Sequence, residues 1–162
     1  MISYLCPAMK VIFLDFDGVM DTSYYDFVLT CEGKPNRDAY GPIFDPKCVD
    51  YLRKIIDQTG ASIVVSSTWK WLMTYKDILE MWRVRDLPGN VIGLTPTYRD
   101  KDRGYEIDTW LDECEEECQY VIIDDLDGGN FTDCQIPHLL VVNPYNGLDD
   151  LIAERAIALL NQ

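Results

Sequence analysis

Short, unbroken blocks of apolar residues alternate along the chain with longer stretches whose apolar residues recur every three or four positions. The blocks are Val11-Ile12-Phe13-Leu14, Ala61-Ser62-Ile63-Val64-Val65, Val91-Ile92-Gly93-Leu94, Tyr120-Val121-Ile122-Ile123 and Leu139-Leu140-Val141-Val142. They are rich in β-branched and aromatic residues and bounded by turn formers. They therefore read as buried strands at 10–15, 61–65, 91–94, 120–123 and 139–142.

The periodic stretches predict helices. Asp45-Pro46 offers an N-cap carboxylate and a first-turn proline, Val49, Leu52, Ile55 and Ile56 form a stripe, and Gly60 ends it. Thr74 caps the next helix, with Tyr75, Ile78, Leu79 and Trp82 as its stripe, and Pro88-Gly89 breaks the chain. A further helix carries Ile107, Trp110, Leu111 and Cys114, and the last carries Leu148, Leu151, Ile152, Leu159 and Leu160. Residues 18–44, rich in Gly, Pro, Asp and Tyr without a sustained period, read as a turn and a short flap, with a hairpin around Glu32-Gly33-Lys34-Pro35. Strands alternating with helices argue for a parallel sheet covered on both faces.

Composition narrows the class. A chain of 162 residues, 48% hydrophobic, predicts one globular domain that buries its core without staples. No apolar run is long enough to span a membrane. Met1 to Met9 lacks the basic start and apolar stretch of a secretory signal, and Met9 is an alternative start with 1–8 as an extension. The expectation is a cytoplasmic protein, in which Cys6, Cys31, Cys48, Cys114, Cys118 and Cys134 are free core thiols. Cys114 and Cys118, four apart, are read as packing on a helix stripe. A net charge of −14 opposes non-specific binding to nucleic acid or anionic membranes while leaving room for a small local basic patch.

The chemistry gathers where strands end. The first strand stops at Asp15, and Asp17 follows before Gly18, which lets the backbone turn sharply away. Open α/β sheets bind ligands beyond the carboxyl ends of their strands. Carboxylates buried there need a cation or a proton, and Mg²⁺ takes such oxygen ligands while keeping positions for water and phosphate. The second strand ends at Ser66-Ser67-Thr68, the fourth at Asp124-Asp125, and Arg99, Lys101 and Arg103 fall in the loop before the fourth strand's helix. Together they supply what phosphoryl transfer requires: a carboxylate nucleophile, ligands for a metal, hydroxyls for phosphate and a cation for developing charge.

In these stretches the sequence resembles the haloacid dehalogenase (HAD) superfamily of phosphohydrolases. The resemblance rests on Asp15-Phe16-Asp17-Gly18-Val19, Ile63-Val64-Val65-Ser66-Ser67, Arg103 and Ile122-Ile123-Asp124-Asp125, in the family's order over residues 10–125. Ser66-Ser67-Thr68-Trp69-Lys70 and Arg103-Gly104-Tyr105-Glu106-Ile107 look, more narrowly, like the HAD domain of "Swiss Army Knife" RNA-repair proteins. The resemblance implies a three-layer α/β/α sandwich around a five-stranded, Rossmann-like parallel sheet in order 5-4-1-2-3. No large cap is implied, only the flap at about 18–44 and the stretch at 67–102 over the site. It implies a Mg²⁺-dependent phosphatase in which Asp15 attacks phosphorus and Asp17 protonates the leaving oxygen and then activates water. Ser66, with Ser67 as the neighbouring alternative, binds phosphate near Gly18, and Arg103 balances the charge. Asp15, Asp125 and the Asp17 backbone carbonyl hold the metal, supported by Asp124. The substrate is a phosphorylated small molecule, a nucleotide or a phosphate-ended nucleic acid.

Other readings stand beside these. Ser66-Ser67 also reads as a helix cap, Asp124-Asp125 as a solvated turn, and Arg99, Lys101 and Arg103 as surface charge. Asp112-Glu113 and Glu115-Glu116-Glu117 read as a solvated helix face, and His138 as structural. Trp69 and Trp71 fit either a substrate mouth or the core. A phosphate-accepting receiver domain is a rival function, although its acceptor belongs on the third strand, which here ends at Leu94-Thr95. A non-catalytic interaction module on the same fold is the other.

Overall fold

The computed structural model describes residues 8–162; Cys6 and nearly all of the suggested 1–8 extension lie outside that span. The main sheet is parallel and built from β1 (Met9–Leu14), β4 (Ser62–Val65), β5 (Val91–Leu94), β6 (Cys118–Asp124) and β7 (Leu139–Val141). Two short antiparallel strands, β2 (Arg37–Asp38) and β3 (Gly41–Pro42), form a separate hairpin. The sheet order is β5-β4-β1-β6-β7, which corrects the expected 5-4-1-2-3. The difference is one of count: the hairpin strands precede β4 in the chain and shift every later number. In space the 91–94, 62–65, 9–14, 118–124 and 139–141 segments follow one another across the sheet.

The pleat sorts the strand residues between two helical layers. Ile12, Leu14, Ile63, Val65, Val121 and Ile123 face a core with α2 (Pro46–Thr59), α3 (Tyr75–Val84) and α5 (Asp150–Leu160). Val11, Phe13, Val64 and Ile122 face α4 (Arg103–Glu113), where Phe13 meets Trp110 edge-on at 5.4 Å between ring centroids. Among the described residues this is an α/β/α arrangement with five α-helices. The capping signals act as their chemistry dictates. Asp45 accepts from Lys47 N, Gly60 closes α2 in the left-handed conformation, and Thr74 and Asp77 form a capping box.

Several local expectations are corrected. The 18–44 stretch contains a helix, α1 (Ser23–Cys31), capped by Thr22, and its hairpin lies at 37–42 rather than around 32–35. The aromatic and β-branched residues of α1 have modest helix propensity, and only Leu29 of the helix is buried, so no apolar period announced it. The stripe of α3 is Ile78, Met81 and Trp82, with Tyr75 and Leu79 exposed, because Trp82 Nε1 donates to Pro88 O and fixes the helix rotation. In α5, Leu151 is exposed and Ala153, Ala156 and Ile157 share the buried face. Cys114 lies beyond the end of α4 and Cys118 opens β6, so they share no helix; their sulfurs are 3.4 Å apart across the turn. Among the described residues no helix is long and apolar enough to cross a membrane.

Candidate active site

Strand register assembles the site. Phe13 lies beside Val64 on one side and Ile122 on the other. Two residues further along each strand come Asp15, Ser66 and Asp124, and the pleat returns side chains to the same face at every second position. The row is held by hydrogen bonds from Asp15 N to Ile123 O at 3.1 Å and from Ser66 N to Leu14 O at 2.9 Å. That face is covered by α4, whose first residue is Arg103. Its Nη1 donates to Asp124 Oδ2 at 2.8 Å and to the Ser66 carbonyl, and lies 3.5 Å from Asp15 Oδ1. One guanidinium thus ties together three adjacent strand ends. Gly104 makes its approach possible, since a Cβ there would meet Gln135 Oε1 at 2.6 Å and Phe131 Cα at 2.8 Å.

The carboxylates are poorly compensated. Asp15 is almost fully buried, and burial pushes its carboxyl up to about 6 against the pull of Arg103, the Ser67 hydroxyl and Phe16 N–H. Asp124 is fully buried and pushed up to about 7, by burial and then by the Asp15 charge, with Arg103 opposing. Oxygens of Asp15, Asp124 and Asp125 lie within 4.8 Å of one another. Three carboxylates facing one guanidinium leave an excess of negative charge and a set of hard oxygen donors, which fits a divalent cation such as Mg²⁺. Both oxygens of Asp124 are already engaged, by Arg103 and by Leu126 N at 3.0 Å. Asp125 is the carboxylate more open to a metal. Ser66 Oγ is buried without a hydrogen-bond partner, whereas Ser67 Oγ accepts from Trp69 N at 3.4 Å. Buried hydroxyls are nearly always satisfied, so the orphan suits a ligand oxygen.

Asp17 is held from the neighbouring strand. Its Oδ1 accepts from Trp69 Nε1 at 2.8 Å and its Oδ2 from Thr68 Oγ1 at 3.1 Å. Trp69 is buried and packs with Phe16 and Phe44, as the core reading has it, and its indole N–H also orients an acid. Trp71 is half-exposed. Gly18 has φ of +73°, and a Cβ there would meet Asp125 Oδ2 at 2.6 Å and Pro144 Cβ at 2.8 Å. The absent side chain lets the loop lie against the Asp125 carboxylate. His138 is structural, stacked on Tyr120 with Nδ1 3.0 Å from Tyr120 O.

Two features escaped the sequence. Asp21 accepts from Gly18 N at 3.0 Å and is pushed up to about 7, first by burial and then by the Asp17 charge. Its position four residues after Asp17 was the available signal. Lys70 and Glu106 form a buried pair at 2.6 Å, and Lys70 also donates to Thr95 Oγ1 at 2.6 Å and Pro96 O at 3.1 Å. Burial lowers the Lys70 pKa while Glu106 opposes that shift. A glutamate inside the apolar stripe of a helix was the clue here. Around Asp17 the surface opens into an acidic cleft of about 350 Å³, lined by Asp17, Asp21, Asp26 and Asp125. A more apolar one of about 260 Å³ is lined by Asp17, Tyr40, Trp69, Leu72 and Met73.

An α/β sheet with a buried aspartate on its central strand, a second acid two residues on, and a basic residue reaching both strand-end acids defines a phosphohydrolase-like domain. Residues 11–151 match the family described as the HAD domain in Swiss Army Knife RNA repair proteins. The chain belongs to this family, and so to the HAD superfamily, which makes it a phosphatase-like hydrolase at that level. Comparison with curated proteins and with solved structures found no match.

Proposed function

We propose that this chain is a Mg²⁺-dependent phosphomonoesterase that removes the terminal phosphate of a nucleic acid through an aspartyl-phosphate. The observation that carries the reading is the buried Asp15 carboxylate, fixed beside Arg103 and within one oxygen cluster with Asp124 and Asp125. Family membership sets aside the receiver-domain reading, and the family's description motivates the nucleic acid substrate. Mg²⁺ would be held by Asp15, Asp125 and the Asp17 backbone carbonyl, with Asp124 in support, and would offset charge on the phosphate oxygens.

The chain's own residues do the rest. An Asp15 carboxylate oxygen bonds to phosphorus as the ester P–O bond breaks, and the Asp17 carboxylic acid gives its proton to the leaving oxygen. The Asp17 carboxylate then takes a proton from a water molecule that attacks phosphorus. The P–O bond to Asp15 breaks, releasing inorganic phosphate and restoring both groups. Ser66 Oγ donates to a phosphate oxygen, as Ser67 would if the contact were one residue later. Arg103 holds Asp15 in place and balances the charge of the transferred group. Gly18 keeps the phosphate side of the loop free of a side chain. We read the chain as one domain with a small 18–44 cover in place of a large cap, in the cytoplasm, with free thiols.

The test is phosphate release from an aryl phosphate and from 5′- and 3′-phosphate-ended oligonucleotides, with Mg²⁺ and with chelator. Turnover that requires Mg²⁺, together with a phosphoenzyme mapped to Asp15 by mass spectrometry, supports the reading. Full turnover in chelator, or phosphate mapped to Asp17, overturns it. Absence of turnover on every phosphoester favours the non-catalytic module.

A further inference from the structure

Beside the Thr68–Trp71 turn lies a third cleft of about 280 Å³ in which bases outnumber acids, with only Asp102 and Glu106 as carboxylates in its lining. The chain has 14 Lys and Arg residues against 28 acids, yet Lys70, Arg99, Lys101 and Arg103 all line this one opening. Arg103, part of the lining, also lies 3.5 Å from Asp15, so the cleft adjoins the proposed nucleophile. Its wall is firm. The buried Lys70–Glu106 pair ties the turn to α4, and Glu106 Oε1 accepts from Tyr98 N at 3.1 Å, fixing the loop that carries Arg99.

The rim is aromatic as well as basic. Trp71, 50% exposed, and Tyr98, 37% exposed, line the cleft, and Tyr105, 46% exposed, stands next to Tyr98. Tyr98 and Tyr105 meet edge-on at 5.3 Å between centroids, and Lys101 Nζ stands 4.9 Å from the Tyr105 ring centre. Half-exposed rings such as Trp71 and Tyr98 beside arginine and lysine form the pattern that takes unpaired bases and the backbone between them. A simple phosphate needs none of this, because Asp15, Ser66 and Arg103 already surround it.

Resting on the phosphatase reading for its placement, we propose that this cleft is a subsite for single-stranded nucleic acid. The terminal nucleotide stacks on Trp71 and Tyr98, and the next phosphodiester pairs with Arg99 and Lys101. Such a site explains how a chain of net charge −14 engages a polyanion: the attraction is local and leads to the nucleophile.

The test compares wild type with the double variant Arg99→Ala/Lys101→Ala and with the exposed control Arg83→Ala on α3. Two quantities are read. One is the ratio of kcat/KM for a phosphate-ended decanucleotide to that for an aryl phosphate. The other is fluorescence-anisotropy binding of the labelled decanucleotide in chelator, where no turnover is needed. The double variant should lower the ratio and the affinity by roughly 10–100-fold. It should also flatten the log–log salt dependence of binding by about 1.4, the value for two lost phosphate contacts on a single strand. Arg83→Ala should move neither. Tyr98→Ala should weaken oligonucleotide binding without changing the salt slope. A ratio and an affinity within twofold of wild type in the double variant overturn the subsite while leaving the phosphatase intact. Lost binding in that variant, from a wild type with no phosphatase activity, supports the subsite and overturns the catalytic reading alone.

Discussion

The acidic cleft beside Asp17 and the basic cleft beside the Thr68–Trp71 turn differ in almost every respect except the strand-end row they border. The first is closed by the 18–44 cover and lined by Asp17, Asp21, Asp26 and Asp125. The second lies against the first turn of α4 and is lined by Lys70, Arg99, Lys101 and Arg103 together with the acids Asp102 and Glu106. A chain with twice as many acids as bases would place acid on both sides if charge were spread evenly. Instead the bases gather in one cleft and none lines the other. Arg103 reaches Asp15 and Asp124 from the face covered by α4, while the Asp17–Asp21 loop and α1 close the other side. Net charge therefore says little about a site whose fields are set within a few ångströms, since exposed charges beyond about 10 Å are screened. The acidic side suits a metal and a proton donor, and the basic side suits the substrate's own charge.

The sharpest way to break this division is at the group both sides share. Asp15→Asn should abolish the trapped phosphoenzyme and lower turnover on the order of 10⁴-fold or more, equally on aryl phosphate and oligonucleotide. A variant that keeps near-normal rates on either substrate removes Asp15 as the nucleophile. Asp17→Asn should cost about 10²–10⁴-fold on an alkyl phosphate. The loss should be far less on nitrophenyl phosphate, whose leaving group needs little protonation. Equal losses on both esters exclude proton donation by Asp17.

Arg103→Ala should cost roughly 10²–10³-fold in turnover, the scale of losing one positioned donor to a charged transition state. On aryl phosphate the loss should exceed that of Lys101→Ala; the reverse order would move the catalytic cation into the loop. Ser66→Ala should weaken turnover by roughly 1.5–3 kcal/mol, the worth of a hydrogen bond to a charged group. It should leave the thermal midpoint nearly unchanged, because the hydroxyl has no protein partner to lose. If Ser67→Ala is the more damaging for turnover, the phosphate contact lies one residue later.

The smallest effect is on stability. Asp15 is raised from 3.8 to about 6, and Asp21 and Asp124 from 3.8 to about 7. Between those values the unfolded chain has released protons that the folded chain still holds. In chelator, stability should therefore fall as pH rises from about 4 to about 7. Mg²⁺ favours the ionised carboxylates, so it should raise the thermal midpoint more at pH 8 than at pH 5. Sodium at matched ionic strength separates this from general screening. A midpoint that Mg²⁺ shifts equally at both pH values would show that these carboxylates are not the ones it meets.

How much of this was readable in the chain follows from the range of the forces involved. The apolar blocks, the Asp45, Thr74 and Gly60 caps and the acids after the first and fourth blocks are local, and local periodicity and capping chemistry determine them. Asp15, Ser66, Ser67, Arg103, Asp124 and Asp125 were all candidates on that basis. Residues 18–44 were not so readable: α1 buries only Leu29 and leans on Tyr145, so its helical state is supported by tertiary contacts rather than by period. The expected shared stripe for Cys114 and Cys118 failed because a spacing of four fits a helix face only if the helix continues, and it ends at Glu113. Local sequence was enough to nominate the candidate site residues and to locate the strands that carry them. That Trp69 holds Asp17, that Lys70 is buried on Glu106 and that the basic residues share one cleft emerges only in the folded chain. Those are meetings between segments 25 to 52 positions apart, and register and packing, rather than anything in the neighbouring sequence, bring them within hydrogen-bonding distance.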